Sequence, residues 1–202
     1  MMSTFSVGQI FKLKSISILI ASLIATQSYA ACTKTNNSTN GLISSIKATQ
    51  GSQCTIVDEI LESETNNGNI VSSTGANSML NFTADNVKII SNDSGQSKAI
   101  NTGSGAEVNF AGNLDISLDG TNPLQNFGIV LQSESTINVE KNLSISGNVD
   151  NHFISANAGT LNVKGNTELI ISDSTLRGGA IMTAPSSNAT LNFAGKTDII
   201  NH

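Results

Sequence analysis

The segment Ala158-Gly159-Thr160-Leu161-Asn162-Val163 returns 30 positions later as Asn188-Ala189-Thr190-Leu191-Asn192-Phe193. Its centre, an aliphatic residue followed by Asn and then Phe or Val, also occurs at Leu80-Asn81-Phe82, Val108-Asn109-Phe110 and Ile137-Asn138-Val139. The asparagines lie 28, 29, 24 and 30 residues apart, so a unit of about 28 residues repeats in register. Four to eight residues after each centre comes a second apolar cluster: Val87, Ile89 and Ile90; Leu114, Ile116 and Leu118; Leu143 and Ile145; Leu169, Ile170 and Ile171; Ile199 and Ile200. Seven to ten residues before each lies a third: Ile70-Val71, Ile100, Ile129-Val130, Phe153-Ile154 and Ile181-Met182. Every unit therefore holds three short strands of period-two alternation. The gaps carry Gly and Asn, as in Gly103-Ser104-Gly105, Ala111-Gly112-Asn113 and Gly178-Gly179, where turns with positive φ are expected.

A unit this small cannot bury its own apolar face, so neighbouring units must stack around a shared core. Three strands per unit with equivalent residues aligned predict an all-β, right-handed parallel β-helix. Alternation then turns Phe82, Phe110, Val139, Val163 and Phe193 inward as one column, at the roughly 4.8 Å strand separation. The same alternation turns Asn81, Asn109, Asn138, Asn162 and Asn192 outward. Their recurrence suits an amide ladder, as in other stacked-strand arrangements, and alternatively a polar binding strip. The next outward row reads Lys88, Asp115, Ser144, Glu168 and Asp198, a mixed row that suits a solvated face. A β-sandwich predicts no recurring unit, and a leucine-rich horseshoe needs an L-x-x-L-x-L frame that is missing.

Composition agrees with this reading. The 202 residues include 28 Ser, 25 Asn, 19 Thr and 17 Gly, with only 12% charged and 4% aromatic residues. Ser, Asn, Thr and Gly are weak in helix interiors and frequent in strands or turns. A net charge of -5 and the lone Arg177 give no phosphate-neutralising surface, which excludes a basic nucleic-acid binder.

Residues 1–30 read as a secretory signal peptide: Lys12 and Lys14, an apolar run from Ile16 to Ala25, then Ser28-Tyr29-Ala30 at the cleavage site. The run falls short of the roughly 20 residues that a membrane-spanning helix needs. A lipoprotein reading of Cys32 is disfavoured by Tyr29 where an aliphatic residue is wanted. Export places Cys32 and Cys54 in an oxidising compartment, so a structural disulfide closing an N-terminal cap over residues 31–65 is expected. Residues 66–202 are assigned to the repeats.

Chemistry is sparse. Asn92-Asp93-Ser94-Gly95 faintly matches a serine-protease nucleophile, but His152 and His202 both follow Ser94, the reverse of that family's order. No catalytic residues, metal ligands or cofactor site are assigned. Polysaccharide lyases and hydrolases also use β-helices, and Arg177 beside Gly178-Gly179 is a possible lyase base. The mature chain nevertheless has no Trp or Tyr to stack on sugar rings. Sequons at Asn37, Asn81, Asn92, Asn142 and Asn188 are what this composition yields by chance.

A signal peptide, a short cysteine-bearing cap and Asn/Ser/Thr/Gly-rich units such as Ala158 to Val163 and Asn188 to Phe193 together resemble the passenger region of a Gram-negative autotransporter of the pertactin or adhesin type. The resemblance implies a non-enzymatic module at the cell surface or outer membrane, or secreted, acting in adhesion or aggregation. Its implied partner is a ligand on a host-cell or bacterial surface, or another copy of itself. It also implies a C-terminal outer-membrane β-barrel, expected here only if the chain is part of a longer protein; a truncated product would stay periplasmic or lack a present function. The longer inter-strand segments Asp119 to Asn126 and Ser172 to Gly179 are the candidate projecting loops.

Overall fold

The computed structural model describes residues 31–63, 68–92, 97–118, 127–148, 152–172, 179–184 and 188–202. Strand β1 (Thr33–Asn36) precedes a first coil of β2 (Ile43–Ala48), β3 (Gln53–Ile56) and β4 (Ile60–Glu62). The second coil is β5 (Gly68–Thr74), β6 (Met79–Phe82) and β7 (Asn86–Ser91); the third is β8 (Ser97–Gly103), β9 (Glu107–Phe110) and β10 (Asn113–Leu118). The fourth is β11 (Phe127–Leu131), β12 (Thr136–Val139) and β13 (Leu143–Gly147), and the fifth is β14 (His152–Ala156), β15 (Gly159–Val163) and β16 (Thr167–Ile171). Strands β17 (Gly179–Thr183), β18 (Ala189–Phe193) and β19 (Thr197–Asn201) complete a sixth.

Each strand pairs in parallel with its counterpart in the next coil, so the chain forms a parallel β-helix with three walls. The middle strands make a separate 6-stranded sheet in the order β18-β15-β12-β9-β6-β3. The other two walls merge where β2 pairs with β4 through Ile43 and Leu61. The central triplets align residue on residue: Leu80 with Val108, Asn81 with Asn109 and Phe82 with Phe110, and onward in the same register to Leu191, Asn192 and Phe193.

The segment assigned as a cap, residues 31–65, is mostly repeat. Its strands β2, β3 and β4 enter the same three walls, and only β1 departs, lying antiparallel against β2. Cys54-Thr55-Ile56 aligns with Leu80-Asn81-Phe82, so this coil follows the register without the repeated triplet. The Cys32–Cys54 disulfide ties the start of β1 to β3 across 22 positions. Residues 1–30, read above as a leader, Arg177, Asp93 to Gly95 and all or most of the candidate loops Asp119 to Asn126 and Ser172 to Gly179 lie outside the described residues.

Ile, Leu, Val and Phe from all three walls fill the interior, among them Leu80, Phe82, Ile89, Ile100, Phe110, Ile116 and Phe153, each fully buried. Phe82 and Phe110 stack with ring centroids 4.6 Å apart and planes 13° from parallel. Strand pairing enforces that separation, and aromatic pairs of this kind add about 0.5–1.5 kcal/mol beyond their burial.

The glycines do not share one reason. Gly105 follows the expectation, with φ 70° beside Ser104 at φ 56°. Gly112 does not: it has no positive φ, but a Cβ there would stand 2.0 Å from the Asp85 carbonyl oxygen of the coil below. At the same corner, a Cβ on Gly165 or Gly195 would stand 2.6 Å or 2.5 Å from a backbone carbonyl oxygen of the preceding coil. At this corner glycine permits coil-to-coil contact rather than an unusual torsion.

Gly112→Ala is therefore expected to displace the corner and lower the urea midpoint by the equivalent of about 1–3 kcal/mol, the usual range for overpacking. Gly68, at the start of β5, has open space around its Cβ position and no positive φ. Gly68→Ala should leave the midpoint unchanged or slightly raised. Equal effects at the two sites would show that the crowding at Gly112 is not real.

Candidate functional site

The middle wall carries the most regular chemistry in the molecule. Alternation in β6, β9, β12, β15 and β18 turns each central Asn outward, and the register places the five in one row. The row is a continuous amide ladder. Asn109 donates from Nδ2 to Asn81 Oδ1 at 2.8 Å, Asn138 to Asn109 at 2.7 Å, Asn162 to Asn138 at 2.8 Å, and Asn192 to Asn162 at 2.8 Å. Asn138 Nδ2 also reaches Glu107 Oε1 at 3.2 Å. A primary amide has two N–H donors and two carbonyl lone pairs, so an interior rung of the ladder has capacity to spare for a second partner.

A second ladder runs along the adjoining corner, and the repeat pattern did not reveal it. Asn113 Nδ2 donates to Asn86 Oδ1 at 2.7 Å. Asn113 Oδ1 in turn accepts from both the backbone N and Nδ2 of Asn142 at 3.1 Å. The row continues with Asn166 N to Asn142 Oδ1 at 2.8 Å and Lys196 N to Asn166 Oδ1 at 3.0 Å. These side chains take over backbone donors at the corner, where the strand ladder is interrupted. The available signal was an Asn immediately before Val87, Leu114, Leu143 and Thr167, three or four residues after each triplet.

Four ion pairs join surface charges among the described residues. Lys141 Nζ bonds Asp85 Oδ1 at 2.8 Å across 56 positions, passing the intervening coil at Gly112, where no side chain stands in the way. Lys164 pairs with Glu140 at 2.5 Å, Lys196 with Asp198 at 2.8 Å and Lys34 with Asp58 at 2.7 Å. The Lys141 ammonium holds the Asp85 carboxyl below its usual range by hydrogen bond and charge, and Asp198 raises Lys196 by the same two effects. Such exposed pairs add little to stability, but they neutralise the wall locally. Lys88, Asp115, Ser144, Glu168 and Asp198 fall in one row, as the pattern placed them.

Among the described residues no group of three or more His, Cys, Asp or Glu side chains could hold a metal ion. Asn92 is engaged structurally, donating from Nδ2 to Glu62 Oε1 at 2.7 Å and from its backbone N to Ser63 Oγ at 3.1 Å. Of the sequon asparagines, Asn37 is buried and accepts from Thr39 N at 2.8 Å, while Asn81 and Asn142 belong to the two ladders. His152 opens β14 in register with Gly179, and its Nδ1 is buried without a partner. Burial holds its pKa below the ordinary histidine value. No protein family, curated protein or solved structure matches the chain.

Asn138→Ala removes a donor and an acceptor from the middle of the first ladder, and each net hydrogen bond is worth about 0.5–1.5 kcal/mol. Urea denaturation should show a loss of about 1–3 kcal/mol for Asn138→Ala and roughly half of it for Asn192→Ala, which gives up one rung bond. Equal losses would mean that the ladder bonds carry no stability.

The His152 shift has a definite sign. A depressed folded-state pKa favours the folded chain fully above the unfolded value of about 6.5, and that advantage disappears as pH falls through the folded value. The denaturation midpoint should therefore fall between pH 7.5 and 5.5 more steeply for the native chain than for His152→Gln, and identical slopes would refute the assignment.

Proposed function

We propose that this chain is an exported, non-enzymatic β-helical module of the autotransporter passenger type, acting at the cell surface in adhesion or aggregation. The carrying observation is the Cys32–Cys54 disulfide at the base of a wall of stacked asparagines. A crosslink of this kind persists in oxidising compartments, which fits the signal peptide read from residues 1–30. The wall presents a row of amides at a fixed spacing set by the coils, suited to contact with an extended polar ligand or another polar wall. The resemblance of the Asn/Ser/Thr/Gly-rich units to adhesin passengers supports the surface role.

Expression of the whole chain in a Gram-negative host tests this reading. The mature protein should begin at Ala31 by mass spectrometry, contain no titratable thiol, and fractionate outside the cytoplasm. Added to host cells or to a bacterial suspension, it should bind or clump them, and Asn109→Ala with Asn138→Ala should weaken that effect. A cytoplasmic chain with an intact leader and two free thiols would overturn the export reading. Release of sugars or of unsaturated sugar products without adhesion would replace the module by a carbohydrate-active enzyme.

A further inference from the structure

The middle wall carries a uniform outer patch over the fourth, fifth and sixth coils. The outward side chains of β12, β15 and β18 are Thr136, Asn138, Thr160, Asn162, Thr190 and Asn192, and none of them is charged. Thr lies on Thr and Asn on Asn from coil to coil. The patch is thus a grid of hydroxyls and amides, about 4.8 Å apart across the strands and roughly 6.8 Å apart along them. Its amides are only half used. Asn162 gives one N–H to Asn138 Oδ1 and one lone pair to Asn192 Nδ2, which leaves one donor and one acceptor for a further partner.

We propose that this grid binds a neutral, N-acetylated polysaccharide of the β-1,4-linked N-acetylglucosamine type, laid across the strands along the helix axis. The inference rests on the reading of this wall as a binding strip and names the ligand of that strip. Three features carry it. First, the N–H and C=O of a trans acetamido group point in opposite directions, so the group can accept from one rung and donate to the next. Such a relay repeats at the separation of paired strands, because paired strands are themselves joined by trans amides.

Second, a β-1,4-linked chain advances by nearly one coil spacing per sugar, with every second acetamido group on the same side. A group that bridges two rungs and recurs every two rungs keeps step with the ladder. The sugar hydroxyls then fall beside the row of Thr136, Thr160 and Thr190. Third, the patch is neutral and the chain carries a net charge of -5. An anionic polymer would lose the hydration of its carboxylates or sulfates there without gaining a counter-charge, since the neighbouring Lys164 is already held by Glu140. With no aromatic side chain among the six, recognition rests on hydrogen bonds. Each sugar contributes little, and affinity comes from the number engaged together.

Titration calorimetry of the oxidised chain with N-acetylglucosamine oligomers tests the proposal. Affinity should rise at least about tenfold from the dimer to the hexamer as more rungs are engaged. The glucose hexamer of the same linkage has hydroxyls in place of the acetamido groups and should bind at least about tenfold more weakly, the equivalent of one or two lost hydrogen bonds. Hyaluronan fragments, with a carboxylate on every second sugar, should also bind more weakly than the hexamer. Thr160→Lys should weaken hexamer binding while circular dichroism keeps the β signal, and Thr160→Val, which removes only the hydroxyl, should act in the same direction. Ser144→Lys, on the outer face of β13 in another wall, should leave it unchanged. No measurable hexamer binding, equal binding of the glucose hexamer, or an affinity indifferent to Thr160→Lys would each overturn the proposal. A chain that clumps cells but ignores the hexamer would sink this inference and leave the adhesion reading standing. One that binds the hexamer but adheres to no cell would do the reverse.

Discussion

In-register stacking of one coil on the next is the constraint from which the other properties of this chain follow. When strands pair in parallel without a shift, each side chain has for neighbours the residues at the same position of the coils above and below, about 4.8 Å away. A position can then be filled only by a residue that tolerates its own kind at that distance. Phe on Phe does so by stacking, Asn on Asn by passing one hydrogen bond along the row, and Leu, Ile or Val by dispersion. Like charges do not: two of them 4 Å apart repel by about 1 kcal/mol even at the dielectric of water, and by more near a protein surface. Charge is sparse at 12%, and its rows mostly mix signs or neutral residues, as in Asp85, Gly112 and Lys141; where Glu168 lies directly on Asp198, the Lys196 ammonium bonds Asp198.

The same constraint decides where the sequence is free. From the end of each middle strand to the start of the next strand the distance hardly changes: Phe82 to Asn86, Val139 to Leu143, Val163 to Thr167 and Phe193 to Thr197. That corner is locked by the second asparagine ladder and by glycines with no room for a Cβ. Variation in repeat length collects between one coil's last strand and the next coil's first, where Leu118 is followed by Phe127 in one coil but Gly147 by His152 in the next. One corner keeps register and another absorbs insertions, so the core columns stay aligned although the repeat length varies from 24 to 30 residues.

What could be read in the sequence divides along these lines. The central triplets, the inner Phe and Val column and the three strands per unit were legible because each repeats a residue class at a nearly constant period. The first coil was not, because Cys54 replaces the aliphatic residue and Thr55 the Asn, the cysteine being needed for the crosslink to Cys32. The corner asparagines escaped notice because their neighbours vary and because the composition is already rich in Asn. The crowding at Gly112 could not be inferred at all, since it depends on the Asp85 carbonyl 27 positions earlier, a contact that exists only once coils are stacked.

The ladder of Asn81, Asn109, Asn138, Asn162 and Asn192 need not be assigned either to stability or to recognition. A row of amides that bond one another has each side chain held in one rotamer by its neighbours, so little conformational entropy is left to lose when a ligand arrives. An amide that was free to rotate would have to be ordered by the ligand itself. The bonds that stabilise the wall are therefore the same bonds that would preorganise it as a binding strip, with a period set by strand pairing and not by the individual side chains. A ligand matched to such a strip must itself be extended and periodic, a requirement met by a polysaccharide or by a second β-wall and not by a small compact molecule.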